Sequence, residues 1–228
     1  MPIDRVETVF LDPGRPLIHL PDPATTLVWR TADEEVLVVG PRTHATYHHG
    51  KELPPCVRMR LRLGRTVAVL GVPAVELVDR VVPLSELWGR DRITGLGGLS
   101  ATSGRARIEA ALRARANSAQ ENAVLVHRAA SALARHTEVP AVARGLGVSE
   151  RRLRDLFTVN VGLSPKRFAS LSRIRRVLSA FHREPLADLA VANGFYDQSH
   201  MGADFRRLMR VTPTAFRAGR LPTTTCTG

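Results

Sequence analysis

The stretch that decides the fold occupies residues 193–207 and reads NGFYDQSHMGADFRR. Asn193 and Gly194 are residue types that adopt the left-handed backbone conformation in which a helix ends and a tight turn begins. Asp197 can then cap the next helix, because its carboxylate can accept hydrogen bonds from the free amides of the first turn. The stretch therefore predicts a turn followed by a capped helix, the second half of a helix-turn-helix.

The helix after this cap has two different faces. Met201, Phe205 and Leu208 fall at steps of four and three, which places them on one side that must face a core. Tyr196 and Met201 also flank the cap at the spacing of a hydrophobic staple. The other side is small and polar near the helix start and basic further on: Gln198, Ser199, Gly202, Ala203 and Arg206. This outer face suits a helix whose N-terminal end enters a DNA groove.

The same pattern occurs once more, 48 residues upstream. The residues that repeat at this interval are Phe157 and Phe205, Pro165 and Pro213, and Phe168 and Phe216. Each copy has a short first helix, at 142–146 or 186–192, then a glycine turn and a capped second helix. Ser149 is the predicted cap in the first copy. Each copy ends in Ser-Pro or Thr-Pro, where the hydroxyl caps a new helix and proline takes its first position. Two copies of one unit therefore stand in tandem.

From about residue 139 to 217 the chain resembles the DNA-binding domain of AraC/XylS-type transcriptional regulators. The resemblance is carried by GFYDQSH at 194–200, by the F-R-R and V-T-P-x-x-F-R that follow it, and by LGVSERRLRDLF at 146–157. It implies two helix-turn-helix units joined by a long helix, here predicted at 165–181. A rigid bridge would let both recognition helices enter successive major grooves on one side of the duplex, about 34 Å apart. The implied partners are double-stranded promoter DNA and RNA polymerase.

The resemblance also assigns base-reading positions, residue by residue. They are Arg151, Arg154 and Asp155 in the first unit, and Gln198, Ser199, Gly202 and Ala203 in the second. Arginine can donate two hydrogen bonds to guanine, and glutamine can pair with adenine. We therefore expect the first helix to carry most of the sequence discrimination and the second to contribute more shape and phosphate contact. The alternative for Arg151 and Arg154 is solvated surface charge.

Phosphate contacts are expected at four basic residues that lie at helix starts or on outer faces: Lys166, Arg167, Arg206 and Arg207. Such contacts position a protein on DNA without reading its sequence. His200 also fits the family pattern. At the third position of a capped helix, however, we prefer a structural role for it.

The charge of the chain indicates a polyanionic partner. Its 228 residues carry a formal net charge of +12 at pH 7. Nearly all basic residues are arginine, a bias that genomic base composition can also produce, so the distribution is better evidence than the total. Residues 119–228 hold 17 basic and 8 acidic side chains, whereas residues 1–118 hold 16 and 13. The excess charge lies in the half where the helix-turn-helix pattern lies.

Residues 1 to about 71 are predicted to be β-rich. Short apolar runs at 17–20, 27–29 and 36–39 are separated by Pro, Gly and Asp clusters. Residues 57–63 alternate between apolar residues and arginine, the period-two pattern of a strand with one wet face. A turn at 63–65 would lead to a further strand at 66–70. The arginines at 58, 60 and 62 either face solvent, which we prefer, or face an anionic effector: Arg58, Arg60 and Arg62.

After Gly71 the pattern favours helices, and it divides the chain. Short helices are predicted at 73–80 and 83–88, a flexible boundary at 90–104 and a connecting helix at 105–116. The first helix of the C-terminal half is predicted at 120–135, with a buried side that includes Val124, His127, Ala130 and Ala134.

The chain is therefore predicted to have an α+β fold with three segments. They are an N-terminal β-rich sensing or association domain at 1–98, a linker helix at 99–118 that could also mediate a homodimer, and a DNA-binding domain at 119–228. In the family resembled, the sensing half is often a cupin-like barrel that binds a small-molecule effector.

Catalysis has little support in the sequence, which lacks a Gly-rich phosphate loop, a G-x-S-x-G elbow and a Cys-x-x-Cys pair. We expect no enzyme activity, cofactor or metal, because the histidines near Cys56 lie among loop residues: His44, His48 and His49. One rival is a DNA-tethered enzyme that transfers alkyl groups to Cys56, and another is an architectural protein whose affinity ignores sequence. Two cysteines, no signal-peptide pattern and no membrane-length apolar run favour a cytoplasmic location.

Overall fold

The protein has an α+β fold in which a β-rich half precedes a helical half, as the sequence predicted. Its computed structural model describes residues 2–9, 16–48, 54–94, 103–116, 120–135 and 137–222. The boundary predicted at 90–104, His49 and Cys226 lie wholly or partly outside these residues.

In the described residues of the N-terminal half, seven strands form two antiparallel sheets. They are β1 (Ile3–Val9), β2 (Leu17–His19), β3 (Thr26–Arg30), β4 (Val36–Val39), β5 (Thr46–His48), β6 (Cys56–Leu61) and β7 (Val81–Pro83). The larger sheet has the order β1-β6-β3-β4-β7, and β2 pairs with β5 in a separate two-stranded sheet. The strands predicted from the apolar runs and from the arginine alternation are confirmed. The sequence analysis missed β1, β5 and β7.

The helices of the N-terminal half are short except for the last. They are α1 (Thr66–Leu70), α2 (Leu84–Trp88), α3 (Arg90–Thr94) and α4 (Gly104–Arg115), with a 3₁₀ turn at Ala74–Leu77. The strand predicted at 66–70 is wrong, since these residues form α1. Its β-branched residues favour a strand by propensity, but the fold buries Val69 and Leu70 completely. Tertiary burial thus outweighs local preference here.

The first hydrophobic core lies on one face of the five-stranded sheet. Alternate strand residues point into it, among them Leu27, Val38 and Met59, all of which are fully buried. Ile108 and Leu112 of α4 complete this core. The predicted linker helix therefore packs against the sheet. The exact domain bounds remain a prediction.

Seven helices follow in the part of the C-terminal half that the structure describes. They are α5 (Gln120–Ala134), α6 (Val139–Gly145), α7 (Glu150–Val161), α8 (Pro165–Ala180), α9 (Leu186–Ala192), α10 (Gln198–Met209) and α11 (Pro213–Arg217). The predicted tandem arrangement, with α6–α7 and α9–α10 joined by the long α8, is confirmed. The buried side predicted for α5 is wrong for Val124, which is 53% exposed, and for His127, whereas Ala130 is buried and Ala134 is half-buried. Val126 and Leu133 are buried instead. Apolar residues occur almost all around α5, so its periodicity did not fix the register.

One continuous core joins the two helix-turn-helix units. Phe168, Leu171 and Ile174 of α8 are buried between them. At the second unit, the ring of Phe181 stacks on Phe205 with centroids 5.1 Å apart. Such aromatic contacts add to the stabilisation that burial alone supplies. The core therefore fixes the two units relative to each other through α8.

The two halves of the chain also contact each other directly. The amide of Ala45 donates to the carbonyl of Leu208 over 2.7 Å, and Arg175 of α8 donates to the carbonyl of Pro21 over 2.8 Å. At Gly162, which ends α7, an added Cβ would lie 2.7 Å from Val78 Cγ2. The N-terminal half thus contacts α7, α8 and α10.

Candidate nucleic-acid interface

Each of the two recognition helices begins with a side-chain cap. Ser149 is the N-cap of α7, and its hydroxyl oxygen accepts from the amide of Arg152 over 3.1 Å. Asp197 is the N-cap of α10, and its carboxylate accepts from the amide of His200 over 2.7 Å. These bonds satisfy amides that have no partner inside a helix. Both helix starts are therefore fixed before any partner binds.

The turn before α10 differs in two details from the sequence prediction. Gly194 alone takes the left-handed conformation, with φ +72°, whereas Asn193 has φ −105°. Asn193 is instead buried, and its side-chain amide donates to the carbonyl of Leu189 over 2.9 Å. The predicted staple is wrong as well, because Tyr196 is 92% exposed.

Phe195, and not Tyr196, is the aromatic residue that is buried before the cap. It is buried, and its ring meets the His200 ring edge-on with centroids 5.5 Å apart. The Nδ1 atom of His200 accepts from the amide of Tyr196 over 3.4 Å. His200 therefore contacts the turn through its ring, against Phe195, and through Nδ1, with the Tyr196 amide. These contacts agree with the structural role preferred for it.

The outer face of α7 presents the three residues assigned to base reading in the first unit. Arg151, Arg154 and Asp155 are all exposed, while Leu153 and Phe157 on the opposite face are buried. Within the described parts of the chain, neither arginine forms a hydrogen bond or an ion pair. Both guanidinium groups are therefore available to an external acceptor.

The outer face of α10 is smooth near its start. Gln198, Ser199 and Ala203 are exposed, and Gly202 is half-buried. A Cβ added at Gly202 would meet no described atom within 4 Å. This surface can therefore approach a groove closely, with Gln198 as its longest polar side chain.

The four predicted phosphate contacts fall into two groups. Lys166, Arg167 and Arg206 are exposed. Arg207 instead donates to Asp204 over 2.7 Å and to the Ser170 hydroxyl over 2.8 Å. Burial raises the pKa of Asp204, but the hydrogen bonds from Arg207 and Ser170 and the charges of Arg207 and Arg173 lower it more, so its pKa lies below the ordinary value.

Several other arginines of the helical half have structural contacts. The Arg173 guanidinium lies 4.8 Å from the centre of the Phe195 ring, and that of Arg217 lies 4.9 Å from the Phe181 ring. Arg176 donates to the carbonyl of Ala134. The count of basic residues at 119–228 includes these arginines together with those predicted to contact DNA. Their sequence positions do not reveal these aromatic and carbonyl partners.

A cavity of about 410 Å³ lies between the two sheets of the N-terminal half. It is lined by Val9, Leu17, His19, Val28, Arg30, Leu37, Val39, Arg42, His44, Thr46, His48, Pro54, Cys56, Arg58, Asp79, Arg80 and Val81. The preferred interpretation of the β6 arginines is therefore wrong for Arg58, which faces the cavity. Arg60 pairs with Asp22 and Asp4 over 2.7 and 2.9 Å, and Arg62 is exposed.

Cys56, the nucleophile of the alkyl-transfer alternative, is half-buried and lines this cavity. Burial raises the pKa of its thiol, and Glu7 adds to the rise while Arg58 opposes it. A raised pKa keeps the sulfur protonated at neutral pH, whereas the thiolate is the nucleophile. The direction of this pKa shift therefore does not favour the alkyl-transfer alternative. In the described residues, no group of three or more His, Cys, Asp or Glu side chains is arranged to hold a metal ion.

Two capped helices of the same build, each exposing a polar face and joined through one core, define a tandem helix-turn-helix DNA-binding domain. Residues 142–219 match the sequence model of a helix-turn-helix domain. This part of the chain is therefore a helix-turn-helix domain.

Several solved structures are similar to the chain. One is a transcriptional regulator with an AraC-type DNA-binding domain from Chromobacterium violaceum, at 23% identity and a TM-score of 0.40, covering 42% of this chain and 92% of that one. Another is the C-terminal domain of AraT, a response regulator from Geobacillus stearothermophilus, at 22% identity and a TM-score of 0.40, covering 46% and 91%.

A third similar structure extends over both halves. It is ToxT from Vibrio cholerae O395 bound to (E)-4-(8-methylnaphthalen-1-yl)but-3-enoic acid, at 10% identity and a TM-score of 0.49, covering 94% of this chain and 98% of that one. No curated protein matches the chain significantly. Among the helices of the described residues, none has the length and apolar character needed to span a membrane.

Proposed function

We propose that the protein is a one-component transcriptional regulator that binds promoter DNA through α7 and α10 and responds to a small molecule held in its N-terminal cavity. The observation that carries this proposal is the pair of capped, outward-facing helices joined by α8 within one core. Because α8 is one continuous helix packed in the shared core, the two helices would enter successive major grooves on one side of the duplex, about 34 Å apart.

The two helices would divide the work of recognition. On α7, Arg151 and Arg154 can each donate two hydrogen bonds to a guanine, a pairing that discriminates by about 1–3 kcal/mol. On α10, Gln198 can pair with adenine, while Ala203 offers a methyl group to thymine. The smooth surface around Gly202 suits close approach to the groove more than base-specific bonding. Most sequence discrimination would then come from α7.

Phosphate contacts would come from Lys166, Arg167 and Arg206, which are exposed on outer helix faces. Arg207 would contribute less, because its guanidinium is already engaged by Asp204 and Ser170. The remaining proposed partners are RNA polymerase and, for a dimeric form, a second copy of the chain. A regulator of promoter DNA works in the compartment of that DNA, which is the predicted cytoplasm.

The cavity would hold a small molecule with an apolar body and an anionic group. Its volume of about 410 Å³ lies in the range of small-molecule pockets. The walls combine apolar strand residues with Arg42 and Arg58. Burial lowers the pKa of Arg42, and the nearby positive charges of Arg58, Arg175 and Arg60 lower it further, although Asp22 partly opposes this. An anion in the cavity would relieve that repulsion.

Selection of binding sites from random DNA, followed by affinity measurements on three variants, tests the DNA-binding part. Arg154→Ala should relax the preference at one base of the first half-site and cost about 1–3 kcal/mol there. Gln198→Ala should change the preferred sequence less. Arg167→Ala is the matched control: it should weaken binding to all sequences alike and lower the slope of log K against log salt by about 0.9.

Two results would contradict the proposal. An unchanged preferred sequence for Arg154→Ala, with a scrambled one for Gln198→Ala, would reverse the assigned roles of the helices. An affinity that does not depend on sequence in competition would instead identify an architectural DNA-binding protein.

A further inference from the structure

The small sheet formed by β2 and β5 separates the cavity from the helical core. Successive strand residues point to opposite faces. In β5, Thr46 and His48 line the cavity, while Tyr47 between them is 1% exposed and belongs to the helical core. In β2, Leu17 and His19 line the cavity, and Ile18, the register partner of Tyr47, packs against the helical core.

The core-facing side of β5 contacts the end of α10. The Tyr47 hydroxyl donates to the carbonyl of Met209 over 2.6 Å, and the Ala45 amide donates to the carbonyl of Leu208 over 2.7 Å. Carbonyls in the last turn of a helix have no partner within that helix. Burial raises the pKa of Tyr47 to about 12, so its hydroxyl keeps its proton. Two hydrogen bonds from this segment therefore hold α10.

The first recognition helix is held by a different segment. The end of α7 at Gly162 packs closely against Ala74 and Val78, which belong to the 3₁₀ turn and the residue after it. An added Cβ at Gly162 would lie 2.8 Å from the Ala74 carbonyl oxygen. The restraints on α7 and α10 can therefore be changed separately by substitution.

We propose that β5 positions the second recognition helix and transmits the state of the cavity to it, with Tyr47 as the positioning residue. This inference rests on the proposed function. A molecule that presses on Thr46 or His48 moves the strand whose opposite face holds Leu208 and Met209. Because this contact orders the end of α10 in the free protein, DNA binding does not have to supply the free energy for ordering it. Loosening this contact therefore weakens binding at the second half-site.

The first test compares full-length variants on two DNA duplexes, the selected operator and the same duplex with the second half-site scrambled. Tyr47→Phe should weaken binding to the operator by about fivefold or more, the scale of one lost hydrogen bond to a buried group. It should leave binding to the scrambled duplex unchanged. Val78→Ala is the matched control at the α7 contact, and it should leave the contribution of the second half-site unchanged.

The outcomes of this test are distinct. Unchanged operator binding by Tyr47→Phe overturns the inference, and so does equal weakening on both duplexes, which would indicate a general loss of structure. Failure of the wild-type chain to select any operator overturns the proposed function, and the inference with it.

The second test concerns transmission from the cavity. Thr46→Leu and Val39→Leu both narrow the cavity, but only position 46 lies on β5. Thr46→Leu should weaken operator binding by about fivefold or more, and this effect should disappear in the Tyr47→Phe background. Val39→Leu should change operator binding less than Thr46→Leu does, and by the same factor in both backgrounds. An equal effect of Val39→Leu, or an effect of Thr46→Leu that is the same in both backgrounds, contradicts the inference.

Discussion

Asp22 shows how one residue joins the two halves of the molecule. Its carboxylate lies 2.7 Å from Arg60 of β6 and 3.5 Å from Arg175 of α8. Burial raises its pKa, but the hydrogen bond from Arg60 and the charges of Arg175 and Arg60 lower it more. The net pKa of Asp22 is therefore below the ordinary value for aspartate. The charged form of Asp22 therefore stabilises the folded protein.

This shift gives the stability a defined pH dependence. The contribution of Asp22 is fully present above its unfolded-state pKa and is lost as the pH falls through its lower folded-state pKa. Asp22→Asn should lower the free energy of unfolding by about 3 kcal/mol at pH 7, because it breaks a largely buried charge pair. The difference between the two proteins should narrow below the ordinary pKa of aspartate, about 3.9. Urea unfolding between pH 7 and pH 3 measures both effects.

A surface carboxylate provides the control for this experiment. Asp33 contacts Arg30 in a pair where both side chains are substantially exposed. Asp33→Asn should change the free energy of unfolding by less than about 1 kcal/mol. If Asp22→Asn behaved like Asp33→Asn, the assigned role of Asp22 would be wrong.

At the same scale, the sequence predicted which side of α7 is exposed but not which partners the arginines bind. Leu153 and Phe157 fix the buried side of α7, so Arg151 and Arg154 had to point outward. Nothing in the order of residues reveals that Arg207 binds Ser170, which is 37 positions away in sequence. The burial of Phe195 in place of Tyr196 likewise depends on the packing of Arg173 and His200, which the turn sequence does not specify.

Among the elements, the end of α7 offers a sharp test of the close approach between the two halves. Gly162 has φ +79°, and an added Cβ would meet Val78 and the Ala74 carbonyl at less than 3 Å. Gly162→Ala should therefore lower the free energy of unfolding by roughly 2–4 kcal/mol, through left-handed strain and overpacking together. Chemical unfolding measures this loss.

Gly147 separates those two causes. It also has a positive φ, +67°, but an added Cβ there would meet no described atom within 4 Å. Gly147→Ala should cost only the strain, roughly 1–2 kcal/mol. Equal losses for the two variants would show that α7 and the 3₁₀ turn separate easily.

The elements also show where sequence patterns fail. The period of α10 was clear because its apolar residues are large and widely spaced. The period of α5 was not, because alanine, valine and leucine fill most positions and the packing of α8 decides which ones are buried. At 66–70 the sequence TVAVL resembles a strand, yet Gly64, with φ +86°, turns the chain so that a short helix covers the sheet.

For the whole molecule, the shared core predicts one unfolding transition. Ala45 and Tyr47 belong by sequence to the β-rich half, but they are buried in the helical core. Loss of either half would expose the other's apolar surface, which costs about 25 cal/mol for each Å². Calorimetry of the full chain should show a single transition with equal calorimetric and van't Hoff enthalpies. Two separate transitions would mean that the halves are thermodynamically independent.

Sequence analysis predicted the two halves but not their junction. Composition and periodicity distinguish a β-rich segment from a helical one, since both signals are local. The hydrogen bond from Tyr47 to Met209 connects residues that are 162 positions apart in sequence. Tyr47 lies in a segment whose sequence favours a loop, and Met209 lies at the end of α10. No local pattern contains that information.

The small sheet between cavity and helical core has a practical consequence for protein engineering. The side chains that line the cavity lie within residues 9–81, and those proposed to read bases lie within 151–203. The two sets share no residue, so libraries of variants in the cavity can be screened against an unchanged promoter. On the proposed function, the chain would serve as a starting scaffold for a biosensor, in which new input chemistry is selected while the reporter gene and its control sequence stay the same.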